Sequence, residues 1–275
     1  MRRSVLKAEA AALEARLLAA LEASGRHPDG LGAADLATID ALHLGGAAAS
    51  AVLLDRLPLR AGLAVLDVGC GSGGVARLLA ARGSGLVLGI DRDPLLLALA
   101  RRLAARVGLA HRAVFLRADA LALPFPDHAF DGAVSLHLSM AVARKRALRA
   151  EAFRVIRPGG FFGLYDATAG PAGPPLLYPT PWAETAATSF VESPAETRAE
   201  LERVGFRVEA ELDLTELARE GLRRLRARLA EAADPALLPG PHLLMGRRFS
   251  EKLANLARAL AEERLRAIAF LARKP

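Results

Sequence analysis

Apolar positions change their period several times along the chain. Leu6, Ala10, Leu13, Leu17 and Leu21 recur on one helical face, until Gly25-Arg26-His27-Pro28-Asp29-Gly30 breaks the run. A second helical stretch is predicted over 33–57. From Leu63 onward, short apolar runs alternate with longer runs of 3.6-residue period. Strands are predicted over 63–68, 86–90, 114–118, 130–136 and 161–166. Helices over 73–82, 94–107 and 144–156 fall between them. Such alternation predicts an α/β domain with a parallel sheet covered on both faces. Residues 167–194, rich in Pro, Gly, Ala and Thr, read as a long functional loop. A helix over 194–204 and a strand over 206–212 follow. Helices near 215–232 and 248–262 and a last strand over 265–271 close the pattern.

The densest chemistry lies at the end of the first strand. Val65-Leu66-Asp67-Val68-Gly69-Cys70-Gly71-Ser72-Gly73-Gly74 carries a buried strand through glycines straight into a helix. Glycines allow a sharp turn and close approach of a ligand, and the helix start offers unpaired N–H groups. Gly69, Gly71 and Gly74 satisfy G-x-G-x-x-G, so a dinucleotide is one reading. Asp91 ends the second strand about 20 residues further on and suits a ribose diol in either kind of cofactor. Asp67 separates the two. A carboxylate before the turn repels a pyrophosphate but attracts the sulfonium and ammonium of S-adenosylmethionine. Asp93-Pro94 reads as a helix N-cap followed by Pro at the first helical position.

Three further blocks follow in order: Arg117-Ala118-Asp119-Ala120 with Leu123-Pro124-Phe125-Pro126-Asp127, then Phe130-Asp131, then Arg157-Pro158-Gly159-Gly160. With the glycine turn they make the chain over about 60–168 resemble the class I S-adenosylmethionine-dependent methyltransferases. Asp40-Ala41-Leu42-His43-Leu44-Gly45-Gly46 is similar to the D-x-x-H-x-G-G entry of the small-molecule group that includes sarcosine/dimethylglycine and tocopherol-type enzymes. Ser135-Leu136-His137-Leu138-Ser139-Met140 resembles their segment after the fourth strand. Leu136 and Ala141 stand where many relatives carry Gln and Asn.

The resemblance implies a Rossmann-like sheet of seven strands, mostly parallel with an antiparallel last strand. It implies a helical cap over 1–57 and a methyltransferase domain over 58–275, with insertions at 167–194 and 213–262. The implied cofactor is S-adenosylmethionine. Asp67, Gly69, Gly71, Ser72 and Gly73 would surround its methionine end. Asp91 would hold the ribose, Arg92 would lie against the adenine, and Asp119 with Ala120 would meet its amino edge. Leu44, Leu136 and His137 would complete that site, with His137 as base or orienter. His43, Met140, Tyr165, Tyr178 and Trp182 are the candidates for substrate contact. Asp131 reads as support for the strands.

Composition narrows the function classes. Cys70 is the only cysteine among 275 residues, which excludes an intrachain disulfide and a cysteine-rich metal site; no metal is expected. Net charge is +7, yet lysine supplies only four of the 37 basic residues, and the arginines scatter over many predicted helices. Genomic bias explains this, so a small molecule rather than nucleic acid is the expected partner. No apolar run reaches the ~20 residues of a membrane span. Lys7, Glu9 and Glu14 interrupt the start too early for a signal peptide, so a cytoplasmic protein is expected. Methyl transfer from a sulfonium needs orientation and dryness more than a nucleophile. Leu44 and its neighbours are therefore expected to close over the cofactor, and residues 1–46 to be dispensable for a sheet that begins at Leu63.

Overall fold

A computed structural model describes residues 2–40, 43–246 and 248–275. Its strands are β1 (Ala64–Val68), β2 (Leu86–Asp91), β3 (Ala113–Arg117), β4 (Phe130–Leu136), β5 (Ile156–Ala169), β6 (Arg207–Asp213) and β7 (Leu265–Arg273). They form one seven-stranded sheet in the order β3-β2-β1-β4-β5-β7-β6. The pairs from β3 to β5 are parallel, and β7 runs antiparallel between β5 and β6. This is the expected sheet, antiparallel last strand included. β5 begins earlier than the apolar pattern implied, because Gly159 N–H donates to Lys274 O and Gly160 O accepts from Lys274 N–H. Strand order reverses between β1 and β4, and a crevice opens at the strands' carboxyl ends there.

Alternation along the strands feeds two cores. Val65 faces one, with Leu53 of α3 (Gly46–Leu54), Leu79 of α4 (Gly74–Ala81) and Leu97 of α5 (Pro94–Arg106). Leu66 and Val68 face the other, with Leu148 of α6 (Lys145–Val155) and Leu201 of α7 (Pro194–Arg203). Asp93 caps α5 by accepting from Leu95 and Leu96 N–H at 2.7 and 3.2 Å.

Of the first two helices, α1 (Arg2–Ala23) lies away from the crevice, while α2 (Ala33–Asp40) reaches its lining with Ala37 and Thr38. Leu17, Leu21, Leu36 and Ile39 bury against Leu99 and Leu103 of α5. Buried Glu14 takes Arg102 Nε at 2.5 Å and Arg106 at 3.5 Å. Only the turn between α2 and α3 reaches the sheet edge. Within its motif, Ala41 and Leu42 lie outside the described residues. Between β6 and β7 the chain forms α8 (Thr215–Glu231), α9 (His242–Met245) and α10 (Phe249–Ala261), which stand over the crevice. At four residues α9 is too short for a periodic signal. Among the described residues no helix is long and apolar enough to cross a membrane.

Candidate active site

The turn after β1 is stitched to the end of β2. Gly69 and Cys70 N–H both donate to Ile90 O at 2.9 Å, and Gly71 N–H donates to Asp91 Oδ2 at 2.9 Å. Gly69 and Gly71 adopt φ of +78° and +52°, which other residues reach only with strain. A Cβ on Gly71 would meet nothing within 4 Å, so the turn leaves open space where a ligand can approach. Gly73 is different. A Cβ there would sit 2.6 Å from the Phe115 ring, and Gly73 does not line the cavity. It seats the start of α4 on β3.

Asp67 is 1% exposed, and its Oδ2 has no partner among the described residues. Burial pushes its pKa up to about 7; Asp91 adds to the rise, while Arg77 and the Ala76 amide oppose it. Burial also raises the Cys70 thiol, with Asp67 and Asp91 adding to it, which disfavours its thiolate.

A cavity of about 700 Å³ extends from this turn. Asp67, Gly69, Gly71, Ser72, Leu136 and His137 form its floor. His43, Leu44, Met140 and Trp182 also line it, and Trp182 is fixed by donating from Nε1 to Ser189 Oγ at 2.9 Å. The far wall carries Leu222 and Leu225 of α8, Leu244 and Met245 of α9, and Phe249 and Leu253 of α10, with Glu220, Arg224 and Arg228 of α8 also in the lining.

Asp91, Arg92, Asp119 and Ala120 lie outside this lining, at the adjoining ends of β2 and β3. Asp91 accepts from Gly71 N–H and from Asp93 N–H, each at 2.9 Å. Asp119 Oδ1 accepts from Leu121 N–H at 2.9 Å. Each carboxylate oxygen keeps further lone-pair capacity for a hydroxyl or amino group. Asp131 instead clamps strands, accepting from Ala64 N–H at 2.7 Å and pairing with Arg157 at 2.7 Å.

Leu44 is gripped at both ends of its backbone. Its N–H donates to His137 Nε2 at 3.0 Å, and Tyr165 O–H donates to its carbonyl at 2.6 Å. His137 N–H in turn donates to Tyr165 O at 2.7 Å, and the two rings meet edge to face at 4.6 Å. Of the two roles expected for His137, base or orienter, this arrangement fits the orienter. Burial, with a smaller contribution from neighbouring His43, holds its pKa well below the ordinary value, so the ring is neutral. Nε2 accepts from Leu44, which leaves the proton on Nδ1, an atom buried without a partner among the described residues. His137 thus holds the Leu44 backbone in place. It keeps a left-handed φ of +56°, which these bonds help to hold. Tyr165 is fully buried and spends its hydroxyl on Leu44, so its expected substrate contact is also corrected. Half-buried Tyr178 lies outside the lining.

Gly221 is a site residue that the sequence did not flag. A Cβ on it would lie 2.9 Å from Gly45 Cα, so α8 touches the 43–46 turn backbone to backbone. A lone glycine in an arginine-rich helix reads only as a weak spot. The contact reverses the usual sign of substitution. Gly→Ala in an open helix stabilises by up to ~1 kcal/mol. Gly221→Ala is expected to destabilise by ~1–3 kcal/mol, as overpacking does. Urea melts of the two chains check this, and a higher midpoint for the variant would show that the contact has slack.

A switch-point crevice, a glycine turn with a buried acid before it and an acid ending the second strand, on a sheet of this order, define the class I methyltransferase fold. Residues 66–164 match the family described as the methyltransferase domain. Over 114 residues the chain is 34% identical to the sterol 24-C-methyltransferase erg6 of Aspergillus fumigatus, covering 42% of this chain and 30% of that protein. The chain thus spans about a third of the length of the curated relatives it matches. The [4+2]-cyclase SpnF superimposes with a TM-score of 0.66 at 24% identity, covering 82% of this chain and 79% of SpnF. The geranyl diphosphate C-methyltransferase of Streptomyces coelicolor A3(2) superimposes with a TM-score of 0.66 at 18% identity, covering 83% and 76%. At these identities the two superpositions speak for the fold alone.

Proposed function

We propose that this chain transfers the methyl group of S-adenosylmethionine to a small, mainly apolar acceptor. Asp67 carries the reading. A buried carboxylate with an unpartnered oxygen, facing a cavity at a glycine turn, fits a cationic ligand and disfavours a pyrophosphate. Asp67 takes the positive methionine end, beside Gly69, Gly71 and Ser72. Asp91 and Asp119 offer acceptors for the ribose and the adenine amino group, with Arg92 and Ala120 flanking them. The donor supplies a methyl already activated on sulfonium, so the chain's task is to orient the acceptor and exclude water. Leu136, Met140, Trp182 and the walls from α8, α9 and α10 do this. The sterol and geranyl diphosphate in the relatives' names are acceptors with the apolar bulk such walls would enclose.

SpnF shares the fold and is named a cyclase, so transfer has to be tested directly. Calorimetry is expected to show one site for S-adenosylmethionine and none for NAD. Methyl-labelled donor should then pass its label to apolar alcohols, phenols or amines. Binding of NAD without S-adenosylmethionine would overturn the reading. We do not expect a nucleic-acid partner: on α8, Arg219 pairs with Glu216, and Arg223 and Arg224 pair with Glu220. We read residues 1–57 as part of the wall and packing of the domain over 58–275, and the location as cytoplasmic.

A further inference from the structure

We propose that His43 Nε2 is the hydrogen-bond acceptor that seats the O–H or N–H group to be methylated, with Ser50 fixing its tautomer. This rests on the methyltransferase reading. His43 lines the cavity, its ring 5.3 Å from that of His137. Ser50 O–H donates to Gly46 O at 3.2 Å. A hydroxyl has one proton to give, so the 3.0 Å contact between Ser50 Oγ and His43 Nδ1 has His43 as donor. The Nδ1–H tautomer follows, and the lone pair sits on Nε2. No group approaches that atom within hydrogen-bond distance among the described residues. Burial lowers the His43 pKa to about 4, so the lone pair is available at pH 7.

The other polar groups near the acceptor end are committed. His137 Nε2 serves Leu44, Tyr165 O–H serves Leu44, and Trp182 N–H serves Ser189. Thr38 O–H donates to Asp35 O, and Glu220 pairs with Arg223 and Arg224. Asp67 belongs to the cofactor end. His43 Nε2 is therefore the neutral acceptor left to meet a donor on an otherwise apolar molecule. In the transfer, the acceptor's lone pair forms the bond to the methyl carbon as the carbon–sulfur pair returns to sulfur. The O–H or N–H proton passes to Nε2 and from there to water.

The test uses the full chain with S-adenosylhomocysteine bound, and two probes: 4-butylphenol and its methyl ether, 4-butylanisole. The phenol can donate and the ether cannot. The ratio of their affinities should favour the phenol by about 2- to 12-fold more in the wild type than in His43→Leu, the worth of one hydrogen bond. Nitrogen-15 spectra of the wild-type histidines should place the His43 proton on Nδ1 and show the Nε2 signal moving with the phenol alone. An unchanged ratio, a phenol that does not bind, or a proton on Nε2 would overturn the proposal. The spectra keep the test decisive if the variant does not fold. Failure to bind S-adenosylhomocysteine would instead defeat the methyltransferase reading at the first step.

Discussion

Removal of residues 1–46 is expected to leave a chain that does not fold cooperatively, contrary to what the start of the sheet at Leu63 implied. Leu17, Leu21, Leu31, Leu36 and Ile39 are all buried. At ~1.5–3 kcal/mol each, their burial is worth on the order of 10 kcal/mol as an upper bound. Whole domains have only about 5–15 kcal/mol to lose. Truncation would also bare Leu99 and Leu103 and remove Glu14 from Arg102 and Arg106. Circular dichroism under urea decides the matter. A truncated chain that melts cooperatively and binds S-adenosylhomocysteine as tightly as the whole would show that α1 and α2 are dispensable.

Replacing Asp67 by Asn is expected to weaken S-adenosylmethionine binding by about 3 kcal/mol, roughly 150-fold, at pH 8. The wild type should show a pH dependence that the variant lacks. With its pKa near 7 in the free protein, Asp67 holds a proton below that pH and must release it to meet a cation. Affinity should therefore rise about tenfold per pH unit up to about pH 7, then level off. Stability should run the other way. The folded-state pKa lies above the ordinary 3.8, so the folded chain binds more protons than the unfolded one in between. Stability of the free protein falls as pH climbs through that window, and Asp67→Asn should melt higher than wild type above pH 7. Calorimetry and thermal melts from pH 5.5 to 8.5 check both signs. A flat binding profile in the wild type would remove Asp67 from the cofactor site.

The glycine turn, Asp91 and the order of strands and helices were legible because each depends on neighbours close in the chain. A strand's period, a capping Asp before Pro and a turn that needs positive φ are local requirements, and residues 64–136 meet them almost where the pattern put them. The roles of the side chains were less legible. The chemistry of His137 depends on Leu44, 93 residues away, whose N–H takes the lone pair a base would need. The hydroxyl of Tyr165 is spent on Leu44, 121 residues away. Nothing near Gly221 in the chain signals Gly45.

By itself, the sequence determined the sheet, its glycine turn and the placing of acids at the ends of β1 and β2. Period, turn conformation and capping act over a few residues, so they can be read along the chain. The tertiary structure alone decided that α1 and α2 pack on α5, with only Ala37 and Thr38 of α2 reaching the cavity. It also decided that His137 holds a backbone turn and that His43 lines the cavity. A histidine's tautomer and a helix's resting place are set by whichever groups the fold brings within about 3 Å, and that distance is not written in the spacing of residues along the chain.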